Sequence, residues 1–374
     1  MFYLVSDSYA PNSAPSNRIM AYAKALSELN IKTKVVFFFP DKAFSKVDGS
    51  LKNIDFEYYW DKYYINIPKL KLLSIRLYMR QFANRLQSGD KVLVYGFPDL
   101  VVKLSTIDSV RVYSEITEHP KASFVNFVNN TIINEYLNAC RVISGVVVIS
   151  NELKHYFVNE GCLEERVHVI NMIVDISRFI GIEKQESDKY IAYCGTASNN
   201  KDGIDELIRA FAILVSKHPD YKLYIIGNTP SKDQRFGNLE LVKSLGIEKS
   251  VVFTGIVSRD EIPQLLKNAE ILALDRPNNL QAQYGFPTKL GEYLSTGNPV
   301  VVTSVGDIPL FLKDGESAFI AAPQNAQSFA EKLCWAIEHP EESKAIGENG
   351  KRIAEMSFNY LTETKKLVNI ILNK

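Results

Sequence analysis

Thr288, Lys289 and Glu292 place a hydroxyl, an ammonium and a carboxylate close together at helical spacing. They lie in the stretch 284–303, YGFPTKLGEYLSTGNPVVVT, which reads as a loop, a short helix and a buried strand. Gly285 gives the loop backbone freedom, and Pro287 suits the first turn of a helix, where its missing N–H is not needed. The helix takes in Thr288, Lys289, Leu290, Glu292, Tyr293 and Leu294, and Gly297 stops it. The β-branched run Val300, Val301, Val302, Thr303 forms the strand. A helix start that offers free N–H groups beside a Thr hydroxyl and a Lys ammonium is an anion site. One turn further in, the Glu292 carboxylate can accept hydrogen bonds from sugar hydroxyls. Phosphate read on one side and a diol on the other describe a nucleotide-sugar. Taken singly, each residue has a structural alternative: Thr288 caps the helix, Lys289 is solvated, and Glu292 answers a nearby base.

As a block the stretch resembles the C-terminal-domain motif of glycosyltransferase family 4, the group 1 glycosyltransferases. In particular it looks like the members that carry Pro-Thr-Lys-Leu-x-Glu-Tyr before Gly-x-Pro-Val-Val. The resemblance covers nearly the whole chain and is weakest in the N-terminal half. It implies the GT-B fold, an α/β architecture of two Rossmann-like doubly wound domains facing across a cleft. It also implies a retaining transfer from a nucleoside-diphosphate sugar, with no protein nucleophile required.

The elements that must position such a site follow from the rest of the chain. Its 374 residues are too many for one ordinary core and suggest two domains. Lys plus Arg and Asp plus Glu both total 43, so no global charge recruits nucleic acid. Cys140, Cys162, Cys194 and Cys334 form no CxxC pair and read as buried small hydrophobes of a cytoplasmic protein. The start MFYLVSDSYAP lacks a basic n-region and reads as a strand, not a signal peptide. No apolar run is long enough to span a bilayer. There is no metal-ligand spacing and no cofactor motif, so the expectation is no metal and no cofactor beyond the donor substrate.

A first strand over 2–5, a helix over 17–29 and a strand over 34–39 make a βαβ opening, whose loop 6–16 lies where doubly wound sheets bind ligands. That loop holds Asn12 and Ser13 but no G-x-G-x-x-G, which argues against an NAD-type site. In the family it is usually Gly-rich and approaches the donor phosphates or the acceptor. Residues 69–87, KLKLLSIRLYMRQFANRLQ, place Leu72, Leu73, Leu77, Tyr78 and Phe82 against Lys71, Arg76, Arg80 and Arg85. This pattern is a surface helix with one face in the core, and it is compatible with peripheral contact at the inner membrane face.

Further strands over 92–95, 110–114 and 145–149 alternate with helices over 98–104 and 122–136. At the end of the 110–114 strand, Glu115, Glu118 and His119 compete for a place lining the crevice. His119 could take a proton near an acceptor hydroxyl or hydrogen-bond the donor sugar, the alternative being a loop His that caps backbone. The segment 169–177, VINMIVDIS, resembles the family's interdomain crossing. The polar stretch 181–189 reads as a linker, which divides the chain into 1–180, 181–356 and a C-terminal helix from 357 that packs back on the first domain.

The second half opens with a strand over 190–194, then Gly195, Thr196 and the loop to Gly203, and a helix over 204–215. Family members carry an Arg after the first glycine and a Lys before the second; here Thr196 takes the first place, and Lys201 lies one residue off the second. Strands over 222–227, 251–255 and 271–274 follow, with helices over 239–245 and 261–268 between them. By the resemblance, the backbone at Ile256 and Val257 holds the nucleobase. Arg276 could reach a phosphate or pair with Asp275. The family's Glu, seven residues, Glu pattern retains only Glu292, with Tyr284 in the first place. Residues 306–312 read as finishing the sheet edge, ahead of helices over 326–338, 340–354 and 358–372.

The implied donor site is therefore Gly195, Lys201, Ile256, Val257, Arg276, Pro287, Thr288, Lys289 and Glu292. The catalytic assignments are His119, Glu118, Lys201 and Lys289, with Asn12, Ser13 and Glu115 on the acceptor side. The expected partners are a nucleotide-sugar and a saccharide or lipid-linked acceptor, as in surface polysaccharide assembly. Rival readings are a GT-B-type epimerase, a phosphorylase, and a catalytically silent nucleotide-binding partner. The missing first acid and the altered basic pair keep the last of these in play.

Overall fold

Short apolar runs, buried on both faces, become parallel strands along the whole chain. The computed structural model describes residues 1–11, 13–63, 68–123, 130–229 and 231–372. Two units divide the chain: Met1–Ile173 with Tyr360–Lys374, and Val174–Asn359.

The first unit holds β1 (Phe2–Tyr9), β2 (Thr33–Pro40), β3 (Ile54–Tyr58), β4 (Lys91–Tyr95), β5 (Arg111–Ile116), β6 (Gly145–Val148) and β7 (Val167–Val169). They form one parallel sheet in the order β3-β2-β1-β4-β5-β6-β7. The second unit holds β8 (Tyr190–Cys194), β9 (Lys222–Ile226), β10 (Val251–Gly255), β11 (Ile271–Leu274), β12 (Val300–Thr303) and β13 (Phe319–Ala321). Their order is β10-β9-β8-β11-β12-β13. In both sheets the order reverses beside the first strand, at β1/β4 and at β8/β11, and ligands of such sheets bind beyond the strand ends at that point. The expected α/β, doubly wound architecture is thus present twice.

Several elements differ from the sequence expectation. The first helix is Ala14–Glu28 and starts earlier, because Ser13 caps it by accepting from the Ser16 N–H at 3.3 Å and Pro15 fits its first turn. Two edge strands, β3 and β7, and the helix Asn151–Asn159 were not foreseen. Residues 308–311, expected at the sheet edge, form a helical turn with Pro309 at its start, and β13 is the edge instead. The helix expected over 122–136 corresponds to Pro120–Ser123 and Asn130–Val142, with 124–129 outside the described residues.

The last helix, Tyr360–Leu372, belongs to the first unit. Its Leu367 and Ile371 join Ile19, Tyr22 and Leu26 in one core, each such buried side chain contributing about 1.5–3 kcal/mol. The chain passes between units at Ile173/Val174, ahead of the polar stretch 181–189, because Val174 is held in the second unit by its N–H to Phe358 O at 2.8 Å.

The basic helix is Pro68–Arg85. Tyr78 and Phe82 are buried, Leu73 and Leu77 are exposed beside Arg76 and Arg80, and Arg85 pairs with Glu57 at 2.6 Å. The side chains of residues 69–72 lie outside the described ones. Among the described residues, no helix is long and apolar enough to cross a membrane. The four cysteines are buried and form no disulfide.

Candidate functional site

The helix carrying the opening motif is Thr288–Ser295, eight residues with Pro287 at the cap position. Pro287, with extended backbone and no capping side-chain bond, sits one place earlier than expected, outside the first turn, and Thr288 is the first helical residue. Tyr293 fixes the helix to the end of β8: its hydroxyl accepts from Cys194 N at 2.5 Å and donates to Cys194 O at 3.1 Å. Gly297, at φ +75°, ends the segment before β12.

This anchoring lays Lys289 across the β8/β11 switch point. Its Nζ lies 2.5 Å from Asp202 Oδ2 and donates to the Tyr193 hydroxyl at 2.8 Å. The Tyr193 proton is shared between Thr196 O at 2.7 Å and Asp202 Oδ2 at 2.8 Å. Asp202 is 1% exposed; burial pushes its carboxyl up, but Lys289, together with Arg276 and the Tyr193 hydroxyl, outweighs that and holds it below the usual carboxylate range. Asp202 closes the short helix Asn199–Asp202, which Ser198 caps, and Gly203 follows at φ +56°.

Two glycines let the backbone close up here. A Cβ on Gly195 would lie 2.8 Å from Lys289 Nζ, and one on Gly227 would lie 2.1 Å from Gly195 O. Gly227 also sits at φ +123°, where a side chain is strained. Gly227→Ala is therefore expected to cost about 2 kcal/mol or more through overpacking and strain. A urea titration of the variant against the wild type measures this.

Asp275 follows β11, packed on Gly203 with its Oδ2 buried and without a hydrogen-bond partner. Burial, reinforced by Glu206 and Asp205, pushes its carboxyl up to about 8. Arg276 is 2% exposed, so it lies within the fold beside this site rather than on the surface. Its backbone is held by Thr303, whose Oγ1 accepts from Arg276 N and donates to Arg276 O, both at 2.8 Å.

Glu292 meets Arg178, with Arg178 Nη1 to Glu292 Oε1 at 2.5 Å and Arg178 Nη2 donating to Arg259 O at 2.8 Å. Both side chains are partly exposed. Lys201 is half-buried on the short helix, close enough that its charge acts on Lys289. Ile256, after β10, is 79% exposed, and Val257 is half-buried. The second unit thus brings Gly195, Lys201, Arg276, Pro287, Thr288 and Lys289 to the switch point.

In the first unit the picture departs from expectation. Glu115 is fully buried: its Oε1 accepts from Arg18 Nε at 2.7 Å and from the Tyr22 hydroxyl at 2.8 Å. Arg18 also donates to Asn171 O and Ile170 O, so this pair binds helix, sheet and crossing together. Glu115 is a core ion-pair partner rather than a residue facing an acceptor. Ser13 is spent as a helix cap, and Asn12 lies outside the described residues.

His119 stays at the β5 end, 4% exposed, its ring 4.3 Å from that of Tyr156. Its Nδ1 accepts from Lys121 N–H at 3.1 Å, which leaves the proton of the neutral ring on Nε2. Burial, with Lys121 adding to it, lowers its pKa and keeps the ring neutral. Of the two roles expected, this state suits a hydrogen bond to the donor sugar better than proton acceptance. Glu118 is half-buried in the bend before it.

Asp202, Tyr193 and Arg178 were missed, and Asp275 was singled out only as a partner for Arg276. Only the Lys201-Asp202-Gly203 run, a charged pair before a left-handed glycine, could have pointed to Asp202. Among the described residues, no group of three or more His, Cys, Asp and Glu side chains could hold a metal ion.

Residues 177–353 match the family model of the glycosyl transferases group 1. The match covers just under half of the chain, so it is this stretch that is similar to the group 1 glycosyl transferases. An uncharacterized glycosyltransferase of Methanocaldococcus jannaschii is 28% identical over 201 residues, 53% of this chain and 47% of that protein. The N-acetyl-alpha-D-glucosaminyl L-malate synthase of Bacillus anthracis is 25% identical over 52% of this chain and 48% of its own length. The chain thus spans about half the length of the curated relatives it matches. Among solved structures, Anabaena HepE in complex with UDP-glucose is similar at TM-score 0.76 and 20% identity, over 99% of this chain and 98% of that one. The fold of the chain is GT-B.

Proposed function

We propose that this protein is a group 1 glycosyl transferase, which moves a sugar from a nucleoside-diphosphate sugar to a saccharide hydroxyl. The observation that carries the reading is the meeting of Lys289, Gly195 and the start of the Thr288–Ser295 helix at the β8/β11 switch point. The bond between the anomeric carbon and the phosphate oxygen breaks, and the diphosphate leaves with the electron pair. The acceptor oxygen bonds to the anomeric carbon, and its proton passes to the departing phosphate oxygen or to solvent. Lys289, Lys201, Thr288 and the helix-start N–H groups stabilise the charge that develops on the diphosphate. Glu292, steered by Arg178, holds the ribose hydroxyls and so orients the donor. Retention of anomeric configuration and a lipid-linked saccharide acceptor follow from the resemblance. The sequence carries no DxD motif or His cluster, so in this reading protein groups rather than a metal balance the charge.

A second reading, a silent nucleotide binder, is favoured by one observation: Asp202 neutralises much of the Lys289 charge.

A thermal-shift screen against UDP, GDP, ADP, CMP and their common sugar conjugates, with Glu292→Ala in parallel, tests the donor site. One diphosphate is expected to stabilise the protein selectively, and less so in the variant. Both Glu292 and Arg178 are partly exposed, so losing their pair costs only about 0–1 kcal/mol, and a smaller ligand shift reports binding rather than unfolding. No shift with any nucleotide would sink the reading. Adding acceptor sugars to the donor so identified then separates turnover from silent binding.

A further inference from the structure

A lysine ammonium has three N–H donors. The two partners found for Lys289 Nζ are Asp202 Oδ2 and the Tyr193 hydroxyl, which leaves its third donor without a protein acceptor among the described residues. The side chain is 15% exposed and packs into the space left by Gly195, where a Cβ would lie 2.8 Å from Nζ. A buried amine is the wrong group for holding an anion unless something keeps it charged, because desolvation favours the neutral form.

Resting on the donor-site reading above, we propose that Asp202 is a positioning residue which keeps Lys289 protonated and aims its remaining N–H at the donor diphosphate. The carboxylate lies behind the ammonium, within the fold, at the end of the Asn199–Asp202 helix. Tyr193 bridges the two groups, so the ammonium cannot swing away without giving up both bonds. The pair is less a store of net charge than a device for presenting one oriented, charged donor.

The charges around Lys289 explain why it needs such support. Burial lowers its pKa, Asp202 raises it, and Lys201 and Arg276 lower it again. From β8 the titratable neighbours are Tyr193 and Cys194, both pushed up by burial and so neutral. On its own helix Tyr293 is likewise neutral and Glu292 is engaged by Arg178. Beyond β11, Asp275 holds its proton up to about 8. Asp202 is therefore the carboxylate that sustains the Lys289 charge at neutral pH.

The test is UDP binding, or binding of whichever diphosphate the wild type selects, measured by calorimetry from pH 6 to pH 9.5 in wild type and Asp202→Asn. The nucleotide's own titration is common to both proteins and cancels. The asparagine keeps the shape and an acceptor oxygen but not the charge. The midpoint for alkaline loss of binding is expected to fall by at least about one pH unit, with affinity about tenfold weaker on the alkaline side and nearly unchanged at pH 6. Tyr193→Phe, which removes an acceptor but no charge, should shift the midpoint in the same direction by less, and serves if Asp202→Asn does not fold. An unchanged midpoint, or tighter binding at every pH, would overturn the role given to Asp202 and leave the donor site standing. Failure of the wild type to bind any diphosphate would instead remove the donor-site reading itself.

Discussion

Lys289→Met is expected to lower stability by about 3–5 kcal/mol, because it leaves the Asp202 carboxylate buried without its counter-charge. Methionine keeps most of the aliphatic stem, so the loss reports the missing ammonium rather than a cavity. Adding Asp202→Asn to the same protein should recover most of the loss, since neither charge is then left alone. Urea unfolding of the wild type, both single variants and the double variant gives the coupling directly. The sign with pH follows from the direction of the Asp202 shift. Its folded-state pKa lies below the ordinary 3.8, so its stabilising effect is present above that value and is lost as pH falls through the folded pKa. The gap between wild type and Lys289→Met should therefore narrow in acid. The single variant should also lose diphosphate binding at every pH, whereas Asp202→Asn should lose it only on the alkaline side.

Asp275→Asn should act the other way and stabilise the protein as pH rises. The folded-state pKa of Asp275 is about 8, above the ordinary 3.8, so between these values the folded protein holds a proton that the unfolded chain has released. Stability then falls with rising pH by about 1.4 kcal/mol per unit across that window. An asparagine does not ionise, and its variant loses this slope. Below about pH 4 the two proteins should differ only by the cost of burying an amide where Oδ2 now has no partner, about 1–3 kcal/mol. Near pH 8 the variant should be the more stable by several kcal/mol. Melting temperatures from pH 4 to pH 9 decide the matter: parallel curves would mean that the carboxyl is not held protonated. A buried acid kept at such a cost beside Gly203 and the short helix fits the pattern of functional sites that give up stability to place a group.

How much of this was legible in the sequence depends on the range of the interaction. The alternation of apolar runs with helical stretches marked two parallel α/β units, because strands such as Ile271–Leu274 and Val300–Thr303 are apolar on both faces whatever their neighbours. The edge strands Ile54–Tyr58 and Val167–Val169 escaped notice because each fully buries one side chain only, so neither carries a continuous apolar run. The Pro-Thr-Lys start of the Thr288–Ser295 helix was visible for the same local reason: capping and backbone freedom are settled within a turn.

What the tertiary structure alone decided is which charges meet. Lys289 and Asp202 are 87 residues apart, Arg178 and Glu292 114, and Arg18 and Glu115 97. Nothing in local spacing distinguishes a solvated Glu115 from one locked against Arg18, or an acceptor nitrogen on His119 from one already taken by Lys121. The sequence by itself determined that a cation and a hydroxyl stand at a helix start before a buried strand. The order of the strands then decided that β8 and β11 lie side by side, which brings Asp202, Tyr193 and Lys289 together. Sheet order is a property of the whole core, since it is chosen by how all the strands bury their faces at once, and no short stretch of residues encodes it.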